Sequence, residues 1–214
     1  MHEIIHIDQQ LLLLLNSNGV GYWDRLMMLV TETWPWIPMA VGLLVVLLRR
    51  KTWRQALVIV LLMALVITVC DQFASSVCKP LFHRLRPSHE PALEGLVCLP
   101  DGAHGLYGFI SSHAANTFGV FAFTALLLRR RAFVLTMLCW ACLSSYSRIY
   151  LGLHYPGDIL AGALWGLLVG WGVWHLVPAD ARVGYARGDA LWPTAIFWIT
   201  LGLLLVAAAF KLQL

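Results

Sequence analysis

Residues 55–77 read QALVIVLLMALVITVCDQFASSV. The run carries one charge, Asp71, near its far end. It is long enough to cross a bilayer, which takes about 20 predominantly apolar residues. A segment in lipid must satisfy its backbone polar groups internally, and a helix does so within one segment. The stretch therefore reads as a transmembrane helix, and it sets the class of the whole chain.

The rest of the sequence agrees. Of its 214 residues, 60% are hydrophobic and 12% are charged, whereas a soluble domain carries about 25% charged residues. The sequence predicts an all-α, polytopic membrane protein forming a single domain over residues 1–214. The ten Trp suit the interfacial belts of such a protein. Residues from about Ile4 to Asn16 set polar groups against a leucine run and are too short to span. They predict an amphipathic interfacial helix within residues 1–20. The N-terminus has no basic n-region or small-residue cleavage site, so the first true span is expected to direct insertion.

About six spans follow. Tyr22–Leu48 is interrupted by Thr31-Glu-Thr-Trp-Pro-Trp-Ile-Pro38 and reads either as one kinked span or as a short helix and a span. The others are 55–77, 109–128, 132–146, 157–176 and 191–210. The loops after spans one, three and five hold Arg49, Arg50, Lys51, Arg54, Arg129, Arg130, Arg131, Arg182 and Arg187. The positive-inside rule makes those loops cytoplasmic. The loops after spans two and four then share the opposite face. Lys79, Arg84, Arg86 and Arg148 break the rule there, and anion binding is the reason expected. The net charge of +4 is accounted for by topology, and no nucleic-acid partner is expected.

Three clusters fall on that face. In Lys79-Pro-Leu-Phe-His-Arg-Leu-Arg86-Pro87, Lys79 and Arg86 are seven apart, about two turns if the helix continues past Lys79. A point charge and a planar fork suit phosphate oxygens. His83 and Arg84 read either as extra contacts or as a solvated face, and the solvated face is the preferred reading. In Gly108-Phe-Ile-Ser111-Ser112-His113, the serines suit a helix N-cap whose free amides favour an anion. His113 then suits a proton donor to a leaving group. In Ser147-Arg-Ile-Tyr-Leu-Gly-Leu-His154-Tyr-Pro-Gly-Asp158, Pro156 suits the first position of a new helix. Asp158 lies within reach of His154, fixing its tautomer and freeing its other nitrogen. Taken singly, each cluster has a plainer reading: a basic anchor for anionic headgroups, a cap beside an interfacial histidine, or a helix-start aspartate beside a bystander.

Together they resemble the signature of the type-2 phosphatidic acid phosphatase superfamily: Lys-x6-Arg-Pro, Pro-Ser-Gly-His and Ser-Arg-x5-His-x3-Asp. The first and third match at full spacing. In the second, Ile110 stands for Pro and Ser112 for Gly. The resemblance implies a bacterial membrane lipid phosphatase, similar to those acting on phosphatidylglycerophosphate or undecaprenyl diphosphate. It implies His154 as nucleophile through a phosphohistidine, Asp158 as its orienting partner and His113 as general acid and then base. Lys79, Arg86, Ser111, Ser112 and Arg148 would bind phosphate. The expected substrate is an envelope lipid phosphate or diphosphate: undecaprenyl diphosphate, phosphatidylglycerophosphate, phosphatidate or a lipid A type. The expected place is the bacterial inner membrane, with the site facing the periplasm or exterior. No acidic cluster is present to hold Mg²⁺, so no metal or other cofactor is expected. A lipid phosphotransferase, or a non-catalytic lipid-phosphate binder or transporter, would use the same pocket. Gly162, Gly166 and Gly170 predict a helix-packing face. Cys78 and Cys98 fall on the same side, where a disulfide is a geometric question.

Overall fold

The computed structural model describes residues 2–186 and 188–210; Arg187 lies outside the described residues. Its helices are α1 (His2–Leu15), α2 (Gly21–Thr31), α3 (Ile37–Leu48), α4 (Trp53–Gln72), α5 (Lys79–Phe82), α6 (Ser112–Leu128), α7 (Arg131–Tyr150), α8 (Pro156–Trp174) and α9 (Leu191–Ala209). A wider π-helical turn, Phe73–Cys78, joins α4 to α5, so residues 53–82 form one long segment. Among the described residues no strand forms, apart from an isolated bridge between Leu85 and Tyr107.

Among the described residues four helical segments are long and apolar enough to cross a membrane, or five if α2 and α3 count as one broken span. The chain is thus a multi-pass membrane protein. The third expected span, α6, begins at Ser112 rather than Phe109 and has 17 residues, about 26 Å. The ambiguity at Tyr22–Leu48 resolves as a break: α2 and α3 meet at 63°. Between them lies the turn Trp34–Trp36. Pro35 and Pro38 cannot donate to a helical ladder, and each disfavours helical backbone in the residue before it.

The three basic loops meet at one end. Lys51 Nζ donates to Ala181 O at 2.8 Å, and Gln55 Nε2 donates to Asp180 Oδ2 at 2.8 Å. Arg49 pairs with Asp189 at 3.6 Å. Arg129 and Arg182 both stack on Trp174. The three sequence clusters lie at the other end, as the charge pattern predicts.

Helices α6 and α8 form the most extensive pair. Backbone meets backbone along it. A Cβ on Gly162 would sit 2.5 Å from Ser111 O, and one on Gly166 or Gly170 would overlap the carbonyl of Ala115 or Gly119. The small-residue row is therefore the packing face. At its upper end Ser111 N donates to Asp158 O at 3.1 Å, which brings the starts of both helices to one level.

Helix α1 is docked on this end. Asp8 and Leu12 are buried, while Ile4, Ile7, Leu11 and Leu14 form an exposed stripe. Cys78 and Cys98 are free thiols. Cys78 packs with Ala74 and Ile110, whereas the Cys98 backbone is pinned by Asn16.

Candidate active site

The first cluster is built differently from the two-turn helix expected. Helix α5 stops at Phe82, and His83 takes a left-handed conformation at φ +47°. The chain then extends and pairs with the segment before α6. Arg86 N donates to Leu106 O, and Gly108 N to Arg84 O, both at 2.9 Å. Lys79 and Arg86 thus converge through a turn and a short pairing, not along one helical face. Lys79 lies within electrostatic reach of Arg86, Arg148 and Asp158.

Gly108 carries a packing role that its sequence position does not announce. A Cβ there would come within 3.0 Å of Asp158 Oδ2 and 3.2 Å of Arg86 Cγ. A side chain there would push on both clusters where they close on each other.

The second cluster forms as the serines suggest. Ser111 is the N-cap of α6, fully buried, its hydroxyl accepting from Ala114 N at 3.4 Å. Ser112 is the first helical residue and is not among the residues with positive φ. The departure from glycine therefore brings no left-handed strain. The amides of Ser112 and His113 fall in the first turn, where no intrahelical acceptor exists. His113 Nε2 lies 3.0 Å from Ser144 Oγ, a partner on α7 that nothing in the motif indicates. His113 is within electrostatic reach of His154 and Arg148.

The third cluster runs off the last turn of α7. Leu153 N and His154 N both donate to Arg148 O, at 2.9 and 3.3 Å. Gly152, at φ +71°, makes the turn. Asp158 is completely buried and its carboxylate has three donors. Arg84 Nη1 reaches Oδ1 at 2.7 Å, while Tyr155 N and His154 Nδ1 share Oδ2 at 3.2 and 3.4 Å. With Nδ1 directed at the carboxylate, His154 Nε2 has no hydrogen-bond partner among the described residues. Burial pushes the His154 imidazole down to about 4, against the pull of Asp158. A lone pair is therefore available at neutral pH. Histidine NMR in detergent should find the His154 midpoint far below the ~6.5 of an exposed imidazole. A midpoint at or above that value would mean that the carboxylate outweighs burial.

At this end of the bundle, among the described residues, the guanidinium nitrogens Arg86 Nη1 and Arg148 Nε are buried without partners. Each guanidinium is otherwise anchored, Arg86 Nε on Tyr107 O at 3.2 Å and Arg148 Nη1 on Thr31 Oγ1 at 2.7 Å. An unpaired buried donor is costly, and a phosphate oxygen would relieve it. Arg84, read from sequence as a solvated residue, is a correction. It is half-buried and bound to Asp158 and Asp8. Its partners lie 74 and 76 residues away, beyond any local spacing.

Beside the polar centre lies an apolar cavity of about 440 Å³. Met39 and Leu43 of α3, Ile67 of α4 and Trp140 of α7 line it, and His113 and Ser144 form part of its wall. Among the described residues no three His, Cys, Asp or Glu side chains are grouped to hold a metal ion. The arrangement offers cations for a phosphate, a neutral imidazole beside them, and a second imidazole, His113, that adjoins an apolar space.

A family model described as PAP2 superfamily matches residues 55–182. A lipid A 4'-phosphatase of Bacteroides thetaiotaomicron is 44% identical over 167 residues, covering 77% of this chain and 74% of that protein. One from Porphyromonas gingivalis is 36% identical, with 79% and 72% covered. An undecaprenyl-diphosphatase of Sulfolobus acidocaldarius is 27% identical, with 76% and 74% covered. Among solved structures, a transmembrane PAP2 type phosphatidylglycerolphosphate phosphatase from Bacillus subtilis superposes with a TM-score of 0.64. It covers 87% of this chain and 90% of that one, at 22% identity, a likeness of fold.

Proposed function

The chain belongs to the PAP2 superfamily and is a membrane lipid phosphatase; from that premise we propose that it hydrolyses an envelope lipid phosphate through a phosphohistidine on His154. The observation that carries the reading is the convergence of His154, His113 and three cationic side chains beside one apolar cavity.

In this mechanism Lys79, Arg86 and Arg148 hold the nonbridging oxygens, assisted by Ser111, Ser112 and the α6 amides. They neutralise the charge on the transferring group. His154 Nε2 attacks phosphorus, and the bond from phosphorus to the lipid oxygen breaks. His113 gives its proton to that oxygen. The dephosphorylated lipid leaves. His113 then takes a proton from water, whose oxygen attacks phosphorus as the P–N bond breaks, and inorganic phosphate departs. Asp158 holds His154 in the tautomer that presents Nε2. Ser144 holds the ring of His113. The apolar cavity takes the part of an acyl chain next to the headgroup.

Relatives at 44% and 36% identity support a lipid A type phosphate ahead of undecaprenyl diphosphate as substrate. The basic loops at the far end of the bundle support a periplasmic or exterior site in a bacterial inner membrane. Helix α1 lies at the interface, with its exposed apolar stripe toward lipid. The three cations supply the charge that a divalent ion would otherwise bring, so the reaction needs no metal.

Purified wild type in detergent, assayed against lipid A, undecaprenyl diphosphate, phosphatidylglycerophosphate and phosphatidate, is expected to release phosphate fastest from lipid A and equally with or without EDTA. Loss in EDTA that Mg²⁺ restores would refute the metal-free mechanism. Phosphate passing to an added alcohol instead of water would favour the phosphotransferase. Binding without release would favour the non-catalytic reading.

A further inference from the structure

One ionic assembly at the site is absent from all three sequence clusters as a functional unit. Arg84 extends one terminal nitrogen to Asp158 at 2.7 Å and the other to Asp8 at 2.6 Å. Its guanidinium stacks on Tyr155, 4.1 Å from the ring centroid. Burial disfavours the charged form, but the Asp158 and Asp8 carboxylates hold the pKa of Arg84 above the ordinary arginine value.

Asp8 comes from α1, far from the site in sequence, and is itself held. Its Oδ1 accepts from Gly157 N at 2.7 Å in the first turn of α8. A carboxylate is favoured at a helix N-terminus. The fit needs a glycine, because a Cβ on Gly157 would sit 2.6 Å from Asp8 Oδ2. Nearby, Leu12 packs with Leu93, Ile149 and Tyr155. Asn16 ties the end of α1 to Cys98 and Tyr150 by hydrogen bonds of 2.7–2.9 Å. Helix α1 is therefore fastened to the segments that hold His154 and Asp158.

The chemistry gives this linkage a task. Asp158 is completely buried, and a buried carboxylate without a cationic partner is costly. Arg84 supplies that cation at Oδ1 and leaves Oδ2 to Tyr155 N and His154 Nδ1. A phosphate dianion arriving on Arg86 and Arg148 would compete for the same guanidinium. Asp8, on the second nitrogen, keeps Arg84 from turning to it.

Building on the phosphohistidine reading above, we propose that Asp8 and Arg84 are positioning residues. Through them α1 keeps the Asp158 carboxylate fixed on His154 while phosphate is bound. Asp8 acts on the Asp158 carboxylate by way of Arg84.

The test is steady-state kinetics of the full chain on the best lipid substrate, well below the melting temperature of every variant. Asp8→Asn and Arg84→Gln are each expected to lower kcat about 10–100-fold, the range for partners that orient a reacting ligand. KM should stay within about twofold. The double variant should be no slower than Arg84→Gln alone, and Asp8→Glu should recover part of the loss. Leu12→Ala loosens α1 without touching a charge. Compared at equal loss of melting temperature, Asp8→Asn should be slower than Leu12→Ala. Additive losses, equal kcat for Asp8→Asn and Leu12→Ala, or an Asp8→Asn enzyme with wild-type kcat would overturn the proposal. Failure of the underlying reading looks different: wild type would release no phosphate, or His154→Asn would be as active as wild type.

Discussion

His154→Asn is expected to lower phosphate release by at least about 10⁴-fold, as loss of a nucleophile does elsewhere. Lipid binding should be nearly unchanged. Asparagine is smaller than histidine and can still donate to Asp158 through its amide, so the buried carboxylate keeps a neighbour. What it lacks is a nucleophilic ring nitrogen. The cations that hold phosphate, Lys79, Arg86 and Arg148, are untouched, which is why binding and turnover should separate. Wild type stopped in alkali during turnover should carry labelled phosphate that is stable to base and released by acid, the behaviour of a phosphorus–nitrogen bond. The asparagine variant should carry none. If it keeps more than about 1% of activity, attack on phosphorus comes from another group, and the geometry of His154 Nε2 would need a different explanation.

Gly166→Ala should be the most damaging small substitution in the bundle. The added Cβ would overlap Ala115 O and lie 2.8 Å from Gly119 N. Both are backbone atoms of α6, so no side chain can rotate away. The helices must separate, and with them Ser111 N and Asp158 O, whose hydrogen bond keeps the two ends of the site together. Overpacking costs about 1–3 kcal/mol even where side chains can adjust, and this contact lies at or above that range. Gly172→Ala in the same helix is the control. Nothing lies within 4 Å of its Cβ position, and alanine is the better helix former by up to about 1 kcal/mol in water. Melting in detergent should show a large drop for Gly166→Ala and none for Gly172→Ala. Equal effects would mean that glycine content, rather than close approach, explains the row.

The sequence alone determined the class of the fold and the two ends of the bundle, and it singled out most of the side chains that gather at the candidate site. Apolar run length is a local property set by bilayer thickness, so 55–77 and 191–210 are legible by inspection. Basic residues are costly to leave on the wrong side, so Arg49-Arg50-Lys51 and Arg129-Arg130-Arg131 sort the loops before any contact is known. Pro156 with Asp158, and Ser111 before an apolar run, announce helix starts through the chemistry of unsatisfied amides. Only the tertiary structure decided how these pieces close. The break between α2 and α3, the left-handed turn at His83 and the pairing of 84–86 with 106–108 each exchange one local backbone preference for another. The exchange is settled by what each segment packs against. Gly108 and Ser144 matter because of what lies across from them. Arg84 looked like solvated charge because Asp8 and Asp158 are 76 and 74 residues away. A long-range ion pair leaves no spacing in the chain. It exists only once the helices have brought its members within reach, where burial makes pairing a requirement instead of an option.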